Sequence, residues 1–161
     1  MAILDYIIPG YKGYRQRDES RQTDKLFRDY LSKELGEEHS KLEGAKKELS
    51  HGGNLAALNP ADQCTKLLTK VRDRLRFANY GMSGLFADGQ AEVDVERLQR
   101  VEEFDKSLVD DRQAVRAQVQ EIENVLMESG AVEPEFKKLL RIIREFDDKL
   151  NRREQVLRGN V

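Results

Sequence analysis

The chain has 161 residues, 39% hydrophobic and 36% charged, and its 28 Lys and Arg against 30 Asp and Glu leave a formal charge of −2. That length suits one core, and the balance of charge argues against a polybasic nucleic-acid binder or an acidic disordered tail. A single cysteine leaves no disulfide framework and no Cys cluster for zinc, which points to a reducing, cytoplasmic setting.

Residues 1–14, MAILDYIIPGYKGY, differ in composition from everything after them. Ile3, Leu4, Tyr6, Ile7 and Ile8 crowd together, Pro9-Gly10 breaks the chain, and Tyr11 and Tyr14 flank a Lys12-Gly13 step. The run has no basic residues ahead of it and no small-residue cleavage site, so it does not read as a signal peptide. Nowhere does the sequence approach the roughly 18 apolar residues of a membrane span. Three readings of the segment stand. It folds back over one end of the helices; or it is a dimer or partner contact, with tyrosines as anchors; or it lies shallowly in an anionic membrane surface, assisted by Lys12, Arg15, Arg17 and Arg21.

Residues 18–50 hold no proline, and Leu35, Leu42 and Leu49 recur every seven residues with Leu31 and Ala45 interleaved. Spacings of three and four put these on one face of a helix. Gly36 and Gly44 weaken it by about 1 kcal/mol each relative to Ala, and Gly52-Gly53 stops it. A second helix is expected over 60–80, with Asn59 as N-cap, Pro60 at its first position and Asp62 in its first turn. Its seam runs through Ala61, Cys64, Leu68, Val71, Leu75 and Ala78. Phe77–Gly89 then mixes Phe77, Tyr80, Met82, Leu85 and Phe86 with glycines. Leu85 and Phe86 side by side read either as a plug for the end of the bundle or as a docking loop for a partner. A third helix is expected over 95–129, capped by Asp94, with Leu98, Val101, Leu108, Val115, Val119 and Ile122 on its stripe. A fourth, over 134–158, opens on Pro134, buries Phe136, Leu139, Ile143, Phe146, Leu150 and Leu157, and closes at Gly159.

These elements define an all-α fold. The expected architecture is an elongated, antiparallel, coiled-coil-like four-helix bundle of two long and two shorter helices, with 15–161 as one domain behind the apolar segment 1–14. Charge is uneven along it. Residues 85–133 carry thirteen acids and five bases, 65–84 five bases and one acid, and 134–161 eight bases and five acids. Opposite signs on neighbouring helices would help set their register and select which helices pair, though each exposed pair is worth only about 0–1 kcal/mol. The rival reading is that the basic faces await lipid headgroups or RNA. Against RNA, acids alternate with bases along the fourth helix and no base-reading motif is present.

Four charged residues, Glu38, Asp105, Arg112 and Arg153, interrupt the apolar seams. Either the real stripes slide past them, or they make paired polar contacts inside the bundle that fix its register.

No pattern in the sequence specifies a reaction. The two histidines are His39 and His51, and the thiol of Cys64 lies on a core seam. Di-iron bundles need two Glu-x-x-His motifs. Glu48-Leu49-Ser50-His51 supplies one, and Gly36 stands where the partner of His39 should be. No catalytic residue, metal site, cofactor or small-molecule substrate is therefore expected. The expected function is that of a non-enzymatic interaction or scaffold protein that forms homodimers or higher oligomers. Its contact residues would be Ile3, Leu4, Tyr6, Ile7, Ile8, Tyr11, Tyr14, Leu85 and Phe86. The alternative is a peripheral membrane-surface protein, of the membrane-stress or remodelling type, anchored by residues 1–14.

Overall fold

The computed structural model describes residues 2–14, 17–78 and 95–159. It contains α1 (Ala2–Ile7), α2 (Arg17–His51), α3 (Leu55–Phe77), α4 (Val95–Met127) and α5 (Glu133–Arg158), and no strand among the described residues. The bundle is all-α, with two long and two shorter helices, as the periodicity requires. The seam leucines, valines and phenylalanines of all four long helices are buried together. Full burial of each contributes about 1.5–3 kcal/mol relative to leaving it in water.

The helix boundaries show where local rules compete. α3 starts at Leu55, five residues before Pro60, and its cap is Asn54, whose side chain accepts from the Ala57 N–H at 3.3 Å. Asn59 does not cap. Gly53, at φ +72°, has already turned the chain out of α2, so Leu55-Ala56-Ala57-Leu58 can begin a helix at once. Pro60 then forfeits one backbone hydrogen bond close to the helix start and is itself buried in the core.

Both helical hairpins turn by the same device. In the α2–α3 turn, Asn54 N donates to Leu49 O and Gly53 N to Ser50 O. In the α4–α5 turn, Gly130 N donates to Val125 O and Ser129 N to Leu126 O. This is the paired closure of a Schellman motif, which needs one left-handed residue. Gly53 takes that role in the first turn and Ser129, at φ +55°, in the second.

Consecutive helices alternate in direction, but they do not all pack side by side. α2 packs on α3 and α4, and α5 packs on α3 and α4, so the consecutive helices α3 and α4 lie across a diagonal. Within each hairpin the helices are antiparallel. Across hairpins they run parallel: Cys64 meets Phe136 while Arg74 meets Asn151, and Glu34 meets Arg112. This corrects in part the expectation that opposite net charge selects neighbours: acidic α4 packs on basic α5 but lies diagonal to basic α3. Basic α3 lies beside basic α5, because Lys70 and Arg74 find Asp147, and Arg74 also finds Glu154 at 3.0 Å. Acidic α4 takes Lys149 from α5 onto Asp111 and offers Arg112 to Glu34 of α2 at 3.2 Å. Individual ion pairs thus form between helices whatever their net sign.

Residues 2–14 form an arm at the end of the bundle where α2 and α4 begin and α3 and α5 finish. No described helix is long and apolar enough to cross a membrane.

Candidate functional site: an ionic centre beneath the N-terminal arm

Seam positions on three helices carry polar side chains in place of leucines at this end, and they meet. On α2, the three-and-four spacing that places Phe27 and Leu31 in the core also places Ser20, Thr23 and Asp24 there, all buried. α4 contributes Asp105 and α5 contributes Arg153, each with 0% exposure. Arg153 Nε donates to Asp105 Oδ1 at 2.7 Å, and Arg153 Nη2 donates to Asp24 Oδ1 at 2.7 Å. Asp24 Oδ2 in turn accepts from Arg28 Nε at 2.9 Å, and Arg28 Nη1 donates to the Leu75 carbonyl of α3 at 2.8 Å. One chain of charge-assisted hydrogen bonds thus ties α2, α3, α4 and α5 together.

The arm closes the centre. Tyr11 Oη donates to Asp105 Oδ2 at 2.9 Å, and Tyr14 Oη donates to the same oxygen while accepting from Arg153 Nη2 at 3.0 Å. Beneath these groups lies Phe27. The Arg153 guanidinium stands 4.9 Å from its ring centroid, and Tyr11 packs edge-on against both Phe27 and Tyr14. Aromatic faces and a guanidinium attract through the ring quadrupole, most strongly when water is excluded.

Burial dominates the electrostatics. It pushes the Asp105 carboxyl up to about 6, although Arg153 and the two tyrosine hydroxyls pull the other way. Tyr11 and Tyr14 are raised far above the ordinary phenol value, by burial first and the Asp105 charge second. Burial alone would lower Arg153, but Asp105, Tyr14 and Asp24 hold it firmly protonated. The centre therefore holds neutral phenols around a buried ion-pair network. Near neutrality Asp105 is largely ionised, with both its oxygens accepting from Arg153 and the two tyrosines.

Of the arm residues read as contacts from sequence, Leu4, Ile8, Tyr11 and Tyr14 are buried against their own chain, Ile7 is half-buried, and Tyr6 is 91% exposed. Ile3 lies within α1. Leu85 and Phe86 fall outside the described residues. Of the four seam interruptions, Asp105 and Arg153 pair with each other. Arg112 leaves the core for Glu34 and the Tyr30 ring, and Glu38 is held by Lys41 at 3.4 Å. Asp24 and Arg28 were not singled out in the sequence. Their signal was present in the polar run Ser20, Thr23, Asp24 on the same spacing as Phe27.

Elsewhere, Cys64 is wholly buried, its Sγ donates to the Phe136 carbonyl at 3.3 Å, and burial pushes its pKa up to about 12. It packs as a small apolar residue. His39 hydrogen-bonds Thr69 at 3.1 Å, and His51 is exposed at the end of α2. Among the described residues no three His, Cys, Asp or Glu side chains are grouped to hold a metal ion. No family model matches this chain, and neither a curated protein nor a solved structure is found to match it.

Proposed function

We propose that the chain is a non-enzymatic interaction protein that self-associates through the end of the bundle that carries its N-terminal arm. One observation carries this reading. Three large apolar side chains stand in water at that end: Tyr6 on the arm at 91% exposure, Phe77 at the end of α3 at 72%, and Val95 at the start of α4 at 62%. The opposite end exposes Leu55 and Met127 as well; the arm end is favoured because it carries three such side chains, one of them on the arm itself. Protein contact is favoured over lipid because Leu4 and Ile8, the residues a membrane anchor would spend on the bilayer, are already buried within the chain.

The test is sedimentation velocity of the full chain over a wide concentration range, beside Tyr6→Ser and Phe77→Ser. A dimer that weakens in both variants supports the reading, and a monomer at every concentration ends it. Liposome flotation decides the rival. Lipid-dependent flotation with no change of oligomeric state would replace protein contact with a membrane surface.

A further inference from the structure

The polar groups under the arm are positioned without it. Arg153 is held on one side by Asp105 and on another by Asp24, and Asp24 is held by Arg28, which is anchored on the Leu75 carbonyl. What the arm's hydroxyls meet on this scaffold is an acceptor, Asp105 Oδ2, and a donor, Arg153 Nη2, with the guanidinium over the face of Phe27. A single atom that both donates and accepts satisfies the pair, and a hydroxyl is such an atom. A carboxylate or phosphate would face the charge of Asp105 unscreened, and an ammonium would face Arg153. The cleft is thus matched to a neutral hydroxyl on an aromatic ring that can pack against Phe27. The described backbone hydrogen bonds of the arm, Ile8 N to Leu4 O and Tyr11 N to Ile8 O, run within the arm, and Gly10 and Gly13 take φ of +90° and +75°. Side chains, not a shared ladder, hold the arm in place. Its contacts can therefore be remade without change by the same segment of another molecule, which is the low-cost route to exchange between identical chains.

We propose that the cleft lined by Asp105, Arg153 and Phe27 is a receptor for tyrosine hydroxyls, and that in the self-associated protein it takes Tyr11 and Tyr14 from the arm of a second copy in place of its own. This rests on the self-association proposed above and names how the two copies are joined.

Two measurements test it. In the first, isotopically light and heavy copies of the full chain are mixed, unfolded and refolded together. The dimer fraction is then treated with a lysine-reactive cross-linker that captures the exposed Lys12 of the arm. Cross-links from Lys12 to bundle peptides of the opposite label are expected. If Lys12 joins only bundle peptides of its own label, the arms stay at home; exchange is overturned while self-association stands. If no dimer forms at any concentration, both readings fall. In the second, a labelled peptide of residues 1–14 is titrated onto the full chain carrying Tyr11→Phe and Tyr14→Phe, whose own arm no longer supplies hydroxyls. Binding about tenfold tighter than to the wild-type chain is expected, with a Tyr14→Phe peptide about tenfold weaker. No binding to the folded double variant overturns the receptor. Should that variant not fold, the isotope experiment on the wild-type chain decides alone.

Discussion

Arg153 Nε and Asp105 Oδ1 lie 2.7 Å apart, 48 positions apart in sequence, with neither side chain exposed to water. Two charges so buried are costly to desolvate, and here the cost is offset by several bonds from one guanidinium: Arg153 Nε reaches Asp105 while Nη2 reaches Asp24 and Tyr14. Removing the cation leaves Asp105 in the interior without a counter-charge and Asp24 with Arg28 alone. Arg153→Ala should therefore lower stability by about 3–5 kcal/mol in urea denaturation. Arg153→Lys should recover only part of the loss, because a single ammonium cannot span all three acceptors. Full recovery by lysine would mean that charge alone matters and the fork does not.

The same centre makes stability depend on pH with an unusual sign for an aspartate. Burial raises Asp105 to about 6 in the folded chain, whereas an unfolded aspartate titrates near 3.9. The folded state binds this proton more tightly, so its contribution is full below about pH 4 and is lost as pH rises through about 6. Other carboxylates of the chain cancel when the wild type is compared with Asp105→Asn. The stability of the wild type relative to the variant should fall between pH 4 and 6.5 and level off above. A difference that grows in favour of the wild type across that interval would contradict the placement of Asp105.

The sequence exposed the helices because their seams repeat at three and four over many turns, and one misplaced residue cannot hide such a repeat. It exposed the boundaries less well, since Asn54 and Asn59 are both credible caps, and only the glycine turn before Asn54 decides between them. Topology was less legible still. The loop between α3 and α4 carries no signal for a diagonal crossing, and net charge per helix pointed to α3 as well as α5 as neighbours of α4, of which only α5 packs closely on it. Asp105 and Arg153 were visible as interruptions, but no spacing rule says that two charges 48 residues apart will meet. The arm was visible as a distinct segment. Its use of Tyr11 and Tyr14 as buried hydroxyls depends on a pocket that exists only after four helices have packed.

Because Tyr14 bridges Asp105 and Arg153 while Tyr11 touches Asp105 alone, the two hydroxyls should differ in worth. Hydrogen bonds to charged groups contribute about 1.5–3 kcal/mol. Tyr14→Phe should lie toward the upper part of that range and Tyr11→Phe toward the lower. The double variant should cost more than the sum, since both hydroxyls share Asp105 Oδ2 and only their joint loss leaves that buried oxygen without a tyrosine donor. Amide hydrogen exchange gives the local check: residues 2–14 should lose protection in Tyr14→Phe before the helices do. Uniform loss across the chain would show that the arm and bundle open as one unit.

Two backbone positions should stabilise the protein when changed, for opposite reasons. Ser129 fills the left-handed position that Gly53 fills in the matching turn, and a side chain there works against its own carbonyl. Ser129→Gly should gain about 1 kcal/mol. Gly44 is the converse, an exposed glycine inside α2 where an added Cβ meets nothing within 4 Å, so Gly44→Ala should gain about 0.5–1 kcal/mol from helix propensity. Gly36 is the control. A Cβ there would come within 3.1 Å of the Arg72 guanidinium, so Gly36→Ala should gain less than Gly44→Ala. Gly44 lines the same surface groove as Leu126 and Met127, just before Ser129, so Ser129→Gly and Gly44→Ala are each read singly in thermal denaturation. Equal gains at Gly36 and Gly44 would show that Arg72 moves freely and does not pack across α2.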